Sequence, residues 1–125
     1  MFVTDGIIEY RENSVVAWVD NSIGEYYRAL LPKAWGVKPP KEKSHVSIVR
    51  HFEQYCRNNW GRYEGWTAKI EYRPEIQTDG IYYWLNCWSG EIAKIRHSLA
   101  LPSFRNTDPK YKLYFSYHIT IGNTK

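Results

Sequence analysis

The sequence predicts an α+β domain of two pseudo-symmetric lobes, each a β-β-α-β unit, with a central cleft between them. Three observations predict it. Apolar periodicity runs strand, strand, helix, strand, and then repeats that order. Short words recur in the same order: IIEY (7–10) and KIEY (69–72), VVAW (15–18) and IYYW (81–84), LLP (30–32) and ALP (100–102). Finally, HVSI (45–48) answers HITI (118–121). A chain of 125 residues is the size of one domain, with lobe one expected over about 1–56 and lobe two over about 64–125.

Each element follows from its residues. GIIEY (6–10) and VVAWVD (15–20) are β-branched runs separated by the turn RENS. Asn21 and Ser22 offer an N-cap, with Glu25 three after Ser22 at the capping-box spacing, and Ile23, Tyr26, Tyr27, Leu30 and Leu31 then recur at helical period until Pro32. The Pro-rich segment KPPKEK reads as a solvated linker into the strand HVSIV. In the second pass WTAKIEY (66–72) is a strand, and RPEIQTDG is expected to turn because it carries Pro74 and the Asp79-Gly80 pair. IYYWLNCW (81–88) is the next strand. Ser89 offers a helix cap, and Ile92, Ile95, Leu99 and Leu101 give the helical face that ends at Pro102. SFRNTDPK (103–110) reads as a polar connection to the last strand, LYFSYHITIG (113–122).

Composition narrows the functional classes. The chain is 43% hydrophobic, which excludes a disordered segment. Its net charge of +4 favours an anionic partner. Cys56 and Cys87 form no CxxC and no metal-ligand spacing with the histidines, so they read as reduced thiols. The N-terminus lacks a basic region and carries an early acid, unlike a secretory signal. No apolar run approaches the length of a membrane helix. The expectation is a cytoplasmic protein, with no membrane and no stable protein partner implied.

The chemistry is read from the paired histidine strings. Side chains alternate across a strand, so His45 and Ser47 share one face and Val46 and Ile48 the other; His118 and Thr120 likewise oppose Ile119 and Ile121. The apolar set should face a helix and the polar sets should converge on one cleft. An imidazole titrates near neutrality, so one histidine can take a proton from an attacking hydroxyl while the other gives one to the leaving oxygen. The hydroxyls of Ser47 and Thr120 can then donate to phosphate oxygens as charge builds. This mechanism requires no metal and no cofactor. His51 and His97 read as surface residues.

HVSI and HITI resemble the paired H-x-[ST]-φ motifs of the 2H phosphoesterase superfamily, which includes LigT-like RNA 2′,3′-cyclic phosphodiesterases and the phage anti-CBASS phosphodiesterases. The separation, 118 − 45 = 73 residues, suits that family. The resemblance implies a bilobal 2H phosphoesterase-like fold, His45 and His118 as the acid–base pair, and Ser47 and Thr120 as phosphate ligands. It implies a metal-independent phosphodiesterase acting on a small nucleotide or oligonucleotide. Cyclic oligonucleotide immune signals come first, because the chain is compact in the way of a phage-encoded member that would work in the host cytoplasm. An RNA 2′,3′-cyclic phosphodiesterase or RNA end-processing enzyme is the alternative, and a non-catalytic nucleotide-binding module is another.

A nucleotide also needs rings to stack on. In the word alignment Trp18 and Trp84 are equivalent, as are Tyr10 and Tyr72. Tyr82 and Trp84 fall on the cleft side of their strand and read equally as base-stacking residues or as filling of the seam between the lobes, with Tyr10 a candidate at the flank. The segment RNNWGRYEGW (57–66) reads either as a clamp over the substrate or as an interlobe linker with anchoring aromatics.

Overall fold

The computed structural model describes residues 2–102 and 117–125. Its elements in chain order are β1 (Phe2–Tyr10), β2 (Val15–Trp18), α1 (Asn21–Ala29), β3 (His45–Val49), β4 (Thr67–Thr78), β5 (Tyr82–Trp88), α2 (Gly90–Ser98) and β6 (Tyr117–Asn123). The elements thus run strand, strand, helix, strand, twice. The predicted connection at 103–110 and the predicted strand residues 113–116 lie outside the described residues.

The expected bilobal α+β architecture with a central cleft is not what these elements build. They form one closed antiparallel barrel with the strand order β1-β2-β3-β6-β5-β4, joined on by two short helices. The reason is edge pairing. β1 pairs with β4 from Phe2 opposite Tyr72 to Ile7 opposite Thr67, and β3 pairs with β6 through Val46 and Ile119. An unpaired strand edge leaves backbone donors and acceptors unsatisfied. Here each half offers two edges, and the halves satisfy each other at both, so no gap remains between them.

Alternation sets what faces inward. Ile8, Val15, Ala17, Val46, Ile48, Ile70, Leu85, Ile119 and Ile121 are almost fully buried in one core. Each of the Val, Leu and Ile side chains contributes about 1.5–3 kcal/mol when removed from water. A one-residue slip of β3 or β6 would put His45 and Ser47, or His118 and Thr120, in their place. The apolar residues of the two motif strands therefore fix the polar ones on the outside of the barrel.

The helices complete the core. α1 buries Ile23 and Tyr27 and packs along β6. α2 buries Ile92 and Ile95 and packs on β4 and β3. Ser89 caps α2 as the sequence predicts, accepting from the amide of Ile92 at 3.2 Å. The cap of α1 is neither of the predicted residues, Asn21 and Ser22. Asp20 fills it, accepting from the amide of Ser22 at 2.9 Å, and this hydrogen bond holds the carboxyl below the usual carboxylate range. Helix α1 consequently begins two residues before the expected Ile23.

The segment expected to turn at 73–80 is mostly strand. β4 runs through Pro74, with a register shift against β5 between Tyr72 and Ile76. Proline lacks the donor for a regular ladder and is accommodated at such an irregularity. The turn itself is confined to 79–81: Gly80 has φ +95°, and the Asp79 carboxylate accepts from the amides of Ile81 and Tyr82 at 2.9 and 2.7 Å.

Candidate functional site

The site is built on the β3–β6 seam. Val46 is opposite Ile119. The antiparallel register therefore puts His45 opposite Thr120 and Ser47 opposite His118. These four side chains all lie on the outer face and are half-buried. Direct neighbours across such a pair have Cβ atoms about 5 Å apart, and diagonal neighbours lie about 7–8 Å apart. The two histidines occupy one diagonal and the two hydroxyls the other. The sequence anticipated this convergence, but on facing lobes; here it arises on adjacent strands of one sheet.

The flanking strands extend the face into two rows. Trp18 is opposite His45 and Val16 opposite Ser47 on β2, while Trp84 is opposite Thr120 and Asn86 opposite His118 on β5. One row therefore reads Trp18, His45, Thr120, Trp84, and the next reads Val16, Ser47, His118, Asn86. Both pairings carry a register shift at the corresponding point, between Val15 and Val16 in β2 and between Tyr83 and Trp84 in β5. The halves therefore superimpose VVAW (15–18) on YWLN (83–86), not on IYYW. Trp18 is equivalent to Asn86, and Trp84 to Val16. The word match misaligns the repeats by two residues because it follows the aromatic residue, whereas the register follows the bulge.

Each histidine still meets an indole of its own half. The Trp18 and His45 rings are 5.3 Å apart, and those of Trp84 and His118 are 5.0 Å apart with planes 32° from parallel. The Trp84 Nε1–H donates to Asn86 Oδ1 at 3.0 Å, which fixes the ring. His45 Nδ1 lies 2.8 Å from the carbonyl oxygen of Lys43. A carbonyl only accepts, so Nδ1 carries the proton and Nε2 is the nitrogen turned to other partners. Nε2 is 3.8 Å from the carboxylate of Glu42, which is itself held at 2.9 Å by Arg11. The Arg11 guanidinium stands over Trp18 at 5.1 Å, and its hydrogen bonds to Glu42 and Glu9 raise its pKa further.

The other predicted residues divide. Tyr82 lies on the outer face beside Trp84, at the end of β5 opposite Asn123, and its ring carries the Lys125 ammonium at 5.0 Å. It is at the margin of the histidine face. Tyr10 is not part of the face. It shares the inward parity of Ile8, packs edge-on against Trp60 at 5.3 Å and takes a hydrogen bond from the amide of Tyr63. Burial raises its pKa. The segment 57–66 does not cover the histidines either. It is tied to β1 through Ile8, whose amide donates to Trp66 and whose carbonyl accepts from Gly65. That places it by the β1–β4 seam, diametrically opposite β3–β6 in the ring of strands. His51 and His97 are exposed, as predicted.

Sequence reasoning missed two arginines. Arg96 of α2 is buried and donates to the carbonyl of Ile48 at 2.7 Å. Arg28 of α1 donates to the carbonyl of Ile121 at 2.9 Å. Ile48 and Ile121 are the last residues of HVSI and HITI, so each helix grips the motif strand of the other half. A basic residue shortly before LLP and ALP was the available signal. It reads as ordinary solvent-facing charge in the last turn of a helix.

No family model matches the chain, and no curated protein or solved structure matches it. Among the described residues no helix is long and apolar enough to cross a membrane.

Proposed function

We propose that the protein is a two-histidine phosphodiesterase of the 2H type, acting on small nucleotides, with cyclic oligonucleotide signals as the substrate class. The observation that carries this reading is the register of β3 against β6, which gathers His45, Ser47, His118 and Thr120 on one face. A phosphate centred among them has an imidazole on either side along one diagonal and a hydroxyl on either side along the other. In a 3′-5′ linkage the adjacent 2′-hydroxyl attacks phosphorus. One histidine takes its proton and the other protonates the departing 5′-oxygen, so the proton count balances. The hydroxyls of Ser47 and Thr120 donate to the non-bridging oxygens where negative charge grows. The Lys43 carbonyl supports the role of His45 by fixing which nitrogen faces the phosphate. The indoles of Trp18 and Trp84, at the two ends of one row, provide ring surface near the bases.

The test is turnover in EDTA of cyclic dinucleotides, cyclic trinucleotides and 2′,3′-cyclic AMP, with the His45→Ala and His118→Ala variants beside the parent. Each variant is expected to lose about 10²–10⁴-fold in kcat while melting near the parent temperature. Turnover that survives both substitutions would overturn the mechanism. Cleavage of 2′,3′-cyclic AMP alone would move the substrate class to RNA ends. Saturable binding without turnover would make the face a nucleotide-binding module.

A further inference from the structure

We infer that the protein carries a second ligand site, separate from the histidine face, that takes a small planar aromatic anion. It is a cavity of about 420 Å³ between α2, the end of the 57–66 segment and the β1–β4 seam. That volume lies in the range of small-molecule sites and suits one ring system with one charged substituent.

The floor is apolar, made by Ile8, Ala68 and Ile95, all nearly fully buried members of the core. The wall is aromatic. Trp66 remains 61% exposed although its neighbours are core residues. Tyr63 meets it edge-on, with centroids 5.3 Å apart and planes at 90°, so a face of the indole is left for a flat ligand. Two cations complete the lining, Arg62 and Lys94. Neither makes an ion pair among the described residues, and Arg62 is steadied by standing over the Tyr63 ring at 5.5 Å. The one acid in the lining, Glu91, is engaged at the helix cap, where it accepts from the Ser89 hydroxyl at 3.3 Å. An apolar floor, a free indole face and two unpaired cations fit a ring bearing a carboxylate or phosphate. They do not fit a cationic ligand, which would meet Arg62 and Lys94.

The site stands independently of the proposed phosphodiesterase, because it lies at the seam opposite the histidines. Binding is read from amide shifts of the isotope-labelled full chain, titrated with adenosine 5′-monophosphate and with indole-3-acetate as the phosphate and carboxylate probes. The His45→Ala, His118→Ala double variant serves as background, which removes turnover at the other face, and any shifts at Ser47 and Thr120 are read separately as binding there. Saturable shifts at Trp66, Ala68 and Ile95 are expected. Arg62→Glu with Lys94→Glu should weaken the dissociation constant at least tenfold, and Trp66→Ala should do the same with the barrel intact by its amide spectrum. Preference for one probe identifies the anionic group. Absence of saturable shifts at these residues, affinity unchanged by the charge reversals, or equal binding of adenosine or choline would each overturn the proposal.

Discussion

Arg96 holds the carbonyl of Ile48 from inside the protein, at 2.7 Å, and Arg28 holds the carbonyl of Ile121 at 2.9 Å from the other half. The exchange is reciprocal: each helix stabilises the strand that carries the other half's histidine. The two clamps differ in burial. Arg96 also makes a two-pronged pair with Glu53, at 3.0 and 3.1 Å, and donates to Pro102 at 2.7 Å. We expect Arg96→Met to cost about 3–5 kcal/mol, because it breaks a two-pronged ion pair made by a buried guanidinium and leaves the carbonyls of Ile48 and Pro102 without this donor. Arg28→Met removes a single partly exposed hydrogen bond and should cost about 1 kcal/mol. Chemical denaturation of both variants checks the difference. Glu53→Gln combined with Arg96→Met should cost less than the sum of the two, since the partners share one interaction.

Gly122 immediately follows the second motif and sits against the segment after α1. A Cβ there would lie 2.8 Å from the backbone oxygen of Lys38 and 2.5 Å from Val37. Lys38 and Asn123 exchange backbone hydrogen bonds at 2.8 and 3.0 Å, so the carbonyl has little room to retreat. Gly122→Ala is expected to lose about 1–3 kcal/mol by overpacking. Gly36→Ala, with open space around the position but φ +65°, should lose about 1 kcal/mol from backbone strain alone. Melting curves of the two variants separate these causes.

Asp79 gives a pH signature. Its carboxylate accepts from the Tyr82 and Ile81 amides, and these hydrogen bonds hold its pKa below the ordinary value. The unfolded chain therefore binds this proton more readily than the folded one. The stabilisation is present above the unfolded pKa and is lost as pH falls through the folded one. Between about pH 5 and about pH 3 the melting temperature of Asp79→Asn should fall less steeply than that of the parent, because the amide oxygen still accepts and never titrates. Parallel slopes would show that the turn does not sense the charge.

Trp84 packs on His118 with its ring tilted 32° from the imidazole plane and is fixed through Asn86. Trp84→Phe keeps a ring against the imidazole, whereas Trp84→Ala removes it. We expect the His118 Cε1–H resonance to move downfield in Trp84→Ala, as ring shielding is lost, and to stay near its position in Trp84→Phe. In the turnover assay Trp84→Ala should lower kcat about tenfold or more, because a misplaced acid–base group is costly to the chemical step. Trp84→Phe should stay within a few-fold of the parent.

Much of this was legible in the residues. The order of strands and helices came from periodicity, and the outward placement of His45, Ser47, His118 and Thr120 came from strict alternation with Val46, Ile48, Ile119 and Ile121. The Ser89 cap was legible because a hydroxyl at a helix start has one local use. The cap at Asp20 was not, since Ser22 offered an equally good local pattern two residues on. Pro74 read as a breaker, but pairing on both sides of it with β5 carried the strand across. The repeat was visible, but its alignment was displaced by two, because words record side-chain type and a bulge records backbone pairing.

By itself the sequence determined the duplicated unit, the inward and outward faces of the motif strands, and the pairing of two histidines with two hydroxyls. Only the tertiary structure decided that β3 meets β6 and β1 meets β4. Strand edges carry no side-chain signature, since what they satisfy is backbone hydrogen bonding common to all residues. That same closure turned an expected cleft into an outer face, carried Tyr10 away from it, and buried Arg96. A charged side chain in the last turn of a helix is soluble by every local rule, and only the strand brought beneath it supplies the carbonyl that takes it inside.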